Sequence, residues 1–407
     1  MADKLAAVVM AAGIGKRMKS ATPKHLHSIL GRRMVDWVVD AARGAGVERL
    51  VVVASPQTSE LLEDVEVVVQ EEPLGTGDAV RRARAALEGF GGDVLVLNGD
   101  VPALRPETIR ALVDTHRSDG AAATVLSFEP ADPGAYGRIV RDGDGRLARI
   151  VEAADASPEE LALREVNSGI YVFRAEKLWP ALERLDAHNA QGELYVTDTL
   201  GLLVADGEPC AVQLADDPLE AEGVNTRAEL ALAAASLRDR INEAHMLAGV
   251  TIVDPATTWI EAGVEIEPDV VVHPYTVIRG GVRIEGGAEI GPFAYVRAVS
   301  VVGEGAKIPH LSYVGDAEVG EGTNVAAGNI TANFPHEPGR PKGRTTIGSN
   351  VKTGIHNGFQ APLTIGDGAW IAGGSYIRKD VPPDALAGFP PRQLNKEGYV
   401  RRKRDDD

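Results

Sequence analysis

"VEIEPDVVVHPYTVIRGGVRIEGGAEI", residues 264–290, sets an aliphatic side chain at every sixth position. The series runs Ile260, Ile266, Val272, Ile278, Ile284, Ile290, Val296, Val302, Ile308, Val314 without a miss. A helix repeats every 3.6 residues and a strand every two, so neither yields a strict six over this length. The period predicts short strands that each turn one aliphatic inward and then bend at Gly or small residues. Stacked, such strands make a parallel β-helix, whose repeats bury a core only against one another. The register slips after Val314 and returns in "TTIGSNVKTGI" (345–355) and at Ile365, Ile371 and Ile377. Between them lies "TANFPHEPGRPKGR" (331–344), polar and Pro-rich, which is predicted to protrude as a loop.

Upstream, "TRAELALAAASLRDRINEAHMLA" (226–248) lacks Gly and Pro and spaces its leucines and alanines as a helix does. The first half of the chain follows another rule. "LAAVVMA", "RLVVVAS", "VEVVVQE", "DVLVLNGD", "AATVLSFE", "SGIYVFR" and "CAVQLA" are short aliphatic runs. Amphipathic stretches such as "MVDWVVDAARGAG" and "TGDAVRRARAALEG" separate several of them. Strands buried on both faces and separated by helices imply an α/β domain with a mostly parallel sheet. Such sheets bind ligands where strands end and loops open.

The net charge of -17 over 407 residues argues against nucleic acid or an anionic membrane as partner. An anionic substrate must therefore be met by local cations or a metal. Cys210 is the single cysteine, which excludes an intramolecular disulfide framework and suits a reducing cytoplasm. No stretch reaches the roughly 20 apolar residues of a membrane span, and the N-terminus lacks a signal-peptide pattern. A soluble, cytoplasmic protein is expected.

The first loop, "VVMAAGIGKRMKSATPKHL" (8–26), poses a choice between a dinucleotide and a free triphosphate. A dinucleotide fingerprint wants a third glycine where Met18 stands, and an acid after the next strand, where Ala54 and Ser55 stand. What remains is Gly13 and Gly15, which let backbone N–H groups approach phosphate, followed by Arg17 and Lys24. This arrangement suits a triphosphate, with fixed cations to bear the charge of phosphoryl chemistry. Read alone, it equally describes a solvated loop.

Further motifs follow in order: "QEEPLGTGDA", "NGDVP", "YGRIV", "IVE", "EVNSGIY", "NAQGELYVTD" and "EGVNTR". Together with the first loop they resemble the sugar-1-phosphate nucleotidylyltransferases. Over nearly the whole chain the sequence is most similar to the bifunctional N-acetylglucosamine-1-phosphate uridylyltransferase/glucosamine-1-phosphate acetyltransferases of bacteria. The resemblance implies a Rossmann-like nucleotidyltransferase domain over 1–227, a connecting helix over 228–249, a left-handed parallel β-helix over 250–390 and a tail over 391–407.

It also implies site residues. Arg17 and Lys24 would grip phosphates, and Asp100 and Asn225 would ligate Mg²⁺, which prefers oxygen ligands and phosphates. Asp100 ends an apolar strand, where a carboxylate faces the ligand crevice. As ordinary structural residues, Asp100 would be a turn aspartate and Asn225 the N-cap of the helix after it. Gln70, Gly75 and Thr76 would hold uracil. Gly137, Glu152, Asn167, Tyr195 and Thr197 would hold the N-acetyl sugar. Two positions depart from the family pattern: Lys16 replaces a small hydroxyl residue, and Asn98 an aromatic.

In the β-helix, "IPHLSYVGDAEVGEGTNVAAGNITANF" (308–334) resembles the acetyltransferase site. His310 would be the base that deprotonates the sugar amine before attack on acetyl-CoA, a task suited to imidazole. Tyr313, Asn324 and Lys342 match sugar-phosphate positions, and Asn333 matches a contact to the amine. A coil that brings a phosphate-binding lysine is missing near Ala298 and Val299, where Arg297 stands close. Ile355 and His356 replace a serine and an acid, and Pro390 an arginine, with Arg392 nearby. Two readings follow. The chain acetylates glucosamine 1-phosphate with acetyl-CoA and couples the product to UTP, or the β-helix is a trimerising scaffold and only the nucleotidylyltransferase acts. A homotrimer is expected on either; a binder without turnover is disfavoured by Arg17, Lys24, Asp100 and Asn225 standing together.

Overall fold

The computed structural model describes residues 4–389 except 14, 63, 188–191, 298, 336–338 and 340, together with 397. Ala298, Pro390 and Arg392 therefore lie outside the described residues. The chain divides into two compact units, residues 1–237 and 238–407.

In the first unit each aliphatic run becomes a strand. These are β1 (Leu5–Ala11), β2 (Arg49–Ala54), β3 (Glu66–Val69), β4 (Asp93–Asn98), β5 (Ala123–Phe128), β6 (Arg138–Arg141), β7 (Leu147–Val151), β8 (Val166–Arg174) and β9 (Cys210–Leu214). They form one sheet in the order β9-β5-β8-β4-β1-β2-β3, with the β6–β7 hairpin attached beside β8. The sheet is mixed: β8 runs antiparallel to both β4 and β5, and the other pairs of the main path are parallel. Among the described residues, five helices of seven residues or more cover it: α1 (Met34–Gly44), α2 (Thr76–Arg82), α3 (Pro106–Ser118), α4 (Ala175–Leu182) and α5 (Thr197–Ala205). One face packs against Val35 and Val38 of α1 and Ile109 and Leu112 of α3. The other packs against Val80 of α2, Leu178 of α4 and Leu200 of α5. Burial on both faces explains why the central strands read as unbroken aliphatic runs. β1 and β4 end together, the Gly99 N–H donating to the Met10 carbonyl at 2.9 Å. The loop after β1 and Asp100 after β4 thus open at one edge. The helix expected at 226–248 is α6 (Arg227–Leu247), and the division between the units falls inside it at Leu237.

The second unit is a stack of two- and three-residue strands. Trp259 pairs with Val277, Val277 with Tyr295 and Tyr295 with Tyr313, each eighteen residues on and each parallel. Eighteen residues are three hexads, so each coil supplies one short strand to each of three parallel ladders. Ile260, Val272, Ile278, Ile284, Ile290 and Val296 are all fully buried in one continuous core. Ile266 is only half-buried against it. The slip after Val314 has a simple geometry. Tyr313 pairs with Ile330, seventeen residues on, and Ile330 with Gly358, twenty-eight on. One coil is a residue short, and the next carries ten extra residues in the expected protrusion. The Gly343 N–H closes the base of that protrusion on the Asn333 carbonyl at 3.0 Å. No helix among the described residues is long and apolar enough to cross a membrane.

The inward and outward positions of one strand should respond oppositely to truncation. Ile284→Ala should destabilise the chain by about 2–5 kcal/mol in urea unfolding. Arg283→Ala, which removes only an exposed pair with Glu267, should cost under about 1 kcal/mol.

Candidate functional site

Gly15 stands at φ +70, and a Cβ there would lie 2.4 Å from the Lys24 Cβ. Glycine therefore lets the loop after β1 close over the segment that carries Lys24. Two short 3₁₀ turns, Lys16–Met18 and Lys24–Leu26, then place Arg17 and Lys24. Both converge on one atom: the Asn225 Oδ1 accepts from Arg17 Nη2 at 2.8 Å and from Lys24 Nζ at 2.9 Å. Lys24 also pairs with the Asp100 carboxylate. The Val224 N–H donates to the Asp100 carbonyl at 2.9 Å, which ties the Asn225 segment to the end of β4. Thus four residues from three distant stretches of sequence meet in one node.

This node borders a cavity of about 280 Å³ lined by Gly13, Lys24, Gln70, Gly75, Thr76 and Asp100, among others. Gln70 is buried, and its Nε2 donates to the Gly75 carbonyl at 3.1 Å and to Asp78 Oδ2 at 2.9 Å. With both amide protons engaged, Gln70 presents its oxygen as an acceptor. Asp78 escaped sequence reading because it sits inside α2, where it resembles any helical acid. Burial alone would raise its carboxyl, but hydrogen bonds from Gln70 and Arg81 and the charge of Arg82 hold it below the ordinary range. His25, also missed, lines the same cavity and is buried with an unpaired Nε2. Burial lowers its pKa to about 4, Lys24 and Arg33 adding to the effect and Asp100 opposing it.

A segment before α5 is stitched to the loop that carries Gly75. Gly77 N–H donates to the Leu194 carbonyl at 2.7 Å, Leu194 N–H to the Leu74 carbonyl at 2.8 Å, and Val196 N–H to Thr76 Oγ1 at 3.0 Å. Gly75, at φ +111, has no room for a Cβ, which would lie 2.4 Å from the Leu194 oxygen. Tyr195 and Thr197 follow directly. Gly137, Glu152 and Asn167 are also together: Asn167 N–H donates to the Gly137 carbonyl at 2.8 Å, and a Cβ on Gly137 would come 3.3 Å from Glu152 Oε1. Burial, with Asp198 and Asp155 nearby, raises the Glu152 carboxyl. Burial likewise raises the Tyr195 hydroxyl, helped by Glu193 and Glu152. Tyr171 joins Asn167 to Thr197 by hydrogen bonds; in the sequence it closes the motif "EVNSGIY" within an apolar strand and nothing singles it out. Asn98 reaches across the sheet, its Nδ2 donating to the Ser168 and Gly169 carbonyls at 3.1 and 3.3 Å.

In the second unit, Arg297, Tyr313 and Asn333 are neighbours. Tyr313 donates to Asn333 Oδ1 at 3.3 Å, and Asn333 in turn donates to Asp316. Gly315 makes room for them, since a Cβ there would lie 2.7 Å from the Tyr313 hydroxyl and 3.2 Å from Arg297 Cγ. His310 is exposed at the corner just before Tyr313, and its carbonyl accepts from Gly328 N–H at 3.2 Å. His356 packs over that same glycine, where a Cβ would come 2.5 Å from its Nδ1. Asn324 lies on a different ladder, between Lys307 and Lys352, and Lys342 is exposed at the protrusion. Among the described residues, no side-chain hydrogen bond joins His310, Asn324 or Lys342 to the Arg297–Tyr313–Asn333 group.

Residues 7–200 match the MobA-like NTP transferase domain, and residues 258–298 match the bacterial transferase hexapeptide of six repeats. Proteins named bifunctional protein GlmU align along almost the whole chain. That of Streptomyces coelicolor is 43% identical over 98% of this chain and 94% of its own. That of Trichlorobacter lovleyi is 41% identical over 98% and 99%, and that of Mycobacterium bovis 40% over 98% and 92%. The chain belongs to the bifunctional GlmU family. It is a transferase that joins a nucleotidyltransferase domain to a hexapeptide-repeat acyltransferase domain. The alignment with the Streptomyces GlmU spans 458 positions against 407 residues here, so at least 51 of them face a gap in this chain.

Asp78→Ala frees the Gln70 amide to rotate. It should raise the KM for the nucleoside triphosphate roughly five- to tenfold, the size expected for one misoriented buried hydrogen bond, with a smaller change in the KM for the second substrate. Initial-rate kinetics with each substrate varied in turn measure this.

Proposed function

We propose that the first unit couples UTP to N-acetylglucosamine 1-phosphate, forming UDP-N-acetylglucosamine and pyrophosphate. The observation that carries this reading is the meeting of Arg17 and Lys24 with Asn225 and Asp100 at the open edge of the sheet. An oxygen of the sugar 1-phosphate attacks the α-phosphorus of UTP in line, and pyrophosphate leaves. Arg17 and Lys24 turn from Asn225 to the phosphates and offset their charge, while the Gln70 oxygen accepts from the uracil N–H. Positioning and charge neutralisation supply the catalysis. Glu152, Asn167 and Thr197 hold the acetylated sugar.

The donor set fits Mg²⁺. Asp100 and Asn225 offer two hard oxygens close enough to share the Lys24 ammonium, and Mg²⁺ commonly takes one or two protein oxygens and completes its shell with water and phosphates. When bound there, the ion would add positive charge beside the triphosphate.

The second unit, on this reading, transfers acetyl from acetyl-CoA to glucosamine 1-phosphate. His310 takes a proton from the amine, and Arg297, Tyr313, Asn324, Asn333 and Lys342 hold the acceptor. Tyr275, Phe293 and Leu311 form an exposed apolar column on three successive coils, with the first two rings stacked at 4.9 Å. Such a column supports packing of the β-helix against copies of itself, as a homotrimer. Asn324 and Lys342 stand apart from Tyr313 within one chain, and the trimer is the setting in which they complete a site. The buried Cys210, whose thiol is pushed up to about 11 by burial, suits a reducing cytoplasm. A second reading, nucleotidylyl transfer over a scaffold, draws on that same separation and on the at least 51 alignment positions missing from this chain.

Pyrophosphate release from UTP and N-acetylglucosamine 1-phosphate should require Mg²⁺, and Arg17→Ala should lower it about a hundredfold or more. Equal turnover in EDTA would contradict the reading. Release of CoA thiol from acetyl-CoA and glucosamine 1-phosphate, lost in His310→Ala, separates the bifunctional reading from the scaffold. Light scattering should give three chains per particle.

A further inference from the structure

Tyr171 is the largest fully buried side chain among the described residues, and its hydroxyl sits between two residues of the proposed sugar site. Asn167 Nδ2 donates to it at 2.9 Å, and Thr197 Oγ1 lies 3.0 Å away. The geometry is unusual for a strand. Residues four apart in a regular strand are separated by about 13 Å, yet Asn167 and Tyr171 touch. They do so because β8 breaks register between Asn167 and Ile170, with Gly169 at φ +75.

The direction of each hydrogen bond can be derived. Gly169 N–H donates to the Asn167 Oδ1 at 2.9 Å, and a backbone N–H only donates, so that atom is the oxygen. The nitrogen of the amide therefore faces Tyr171 and donates to it. The tyrosine's own proton then has a single partner, Thr197 Oγ1. Were Thr197 the donor instead, the phenol proton would be buried without an acceptor, at a cost of about 1–3 kcal/mol. Tyr171 thus gives its proton to Thr197, and the Thr197 proton must point elsewhere. Thr197 is half-buried, so its proton is open to a group outside this cluster. Burial pushes the Tyr171 hydroxyl up to about 12, and the phenol keeps its proton through the working pH range.

We propose that Tyr171 is a positioning residue that fixes the polarity of the sugar pocket, so that Thr197 and the second Asn167 amide proton both present donors to the acetamido carbonyl oxygen of the substrate. That oxygen is the strongest neutral acceptor on an N-acetyl sugar, and glucose 1-phosphate has none like it. The relay makes the pocket selective for the acetylated sugar without touching it. This rests on the reading of the first unit as an uridylyltransferase.

The test is Tyr171→Phe, which keeps the ring and removes the hydroxyl. The KM for N-acetylglucosamine 1-phosphate should rise about tenfold, while the KM for UTP stays within twofold. The preference for this substrate over glucose 1-phosphate, taken as a ratio of kcat/KM on one preparation, should fall by the same factor. Loss of folded protein lowers both rates alike and leaves the ratio untouched. Thr197→Val should lower the preference in the same direction, Thr197→Ser should restore it, and Tyr171→Phe should cost less in the Thr197→Val background than in the wild type. A preference unchanged within twofold in Tyr171→Phe overturns the proposal, as does an additive double variant. A wild-type chain that releases no pyrophosphate with any sugar phosphate overturns the uridylyltransferase reading itself, and this proposal with it.

Discussion

Arg17 and Lys24 are drawn to a single amide oxygen, and one of them also to a carboxylate at the end of a buried strand. Several features of the first unit bring those groups to one place. The loop after β1 can fold over Lys24 only because residue 15 lacks a Cβ. Asp100 is held where β4 leaves the core, and the backbone of Val224 anchors Asn225 to it. In a chain of net charge -17, two cations so placed form a local exception. A polyphosphate would offer them partners of higher charge than an amide dipole.

The β-helix was legible because its core obeys one rule at ten consecutive positions, and no local propensity competes with it. The irregularity was legible only in part. A break after Val314 shows in the hexad, but its division into a short coil and a long one depends on which backbone groups pair, as in Tyr313 with Ile330. In the first unit, the glycines and charged residues of the motifs stand out from the apolar runs around them. Tyr171, Asp78 and His25 do not. Tyr171 lies in a hydrophobic strand and Asp78 in an amphipathic helix, where a single aromatic or acid is what burial and solvation ordinarily produce. Tyr171 meets Thr197, far along the chain, and meets Asn167 only through a bulge that no periodicity announces, while Asp78 is singled out by the buried Gln70 that donates to it.

The two units solve the problem of placing side chains differently. The sheet collects residues from distant loops at the ends of its strands, so its site depends on long-range packing. The β-helix places side chains by repetition: a residue eighteen positions on occupies the same face one coil higher. Arg297 and Gly315 illustrate it, paired directly with one side chain large and the next absent. Removing whole coils leaves such a stack intact but changes which residues become neighbours.

The protrusion closed by Gly343 and Asn333 leaves and rejoins the stack without disturbing it, since Ile330 and Gly358 still pair in register across it. The entropy of closing such a loop grows only slowly with its length, about 0.6 kcal/mol for each doubling. Residues can be gained or lost there while the solenoid beneath keeps its cohesion. The cohesion of the stack thus sets no tight limit on how long this loop is.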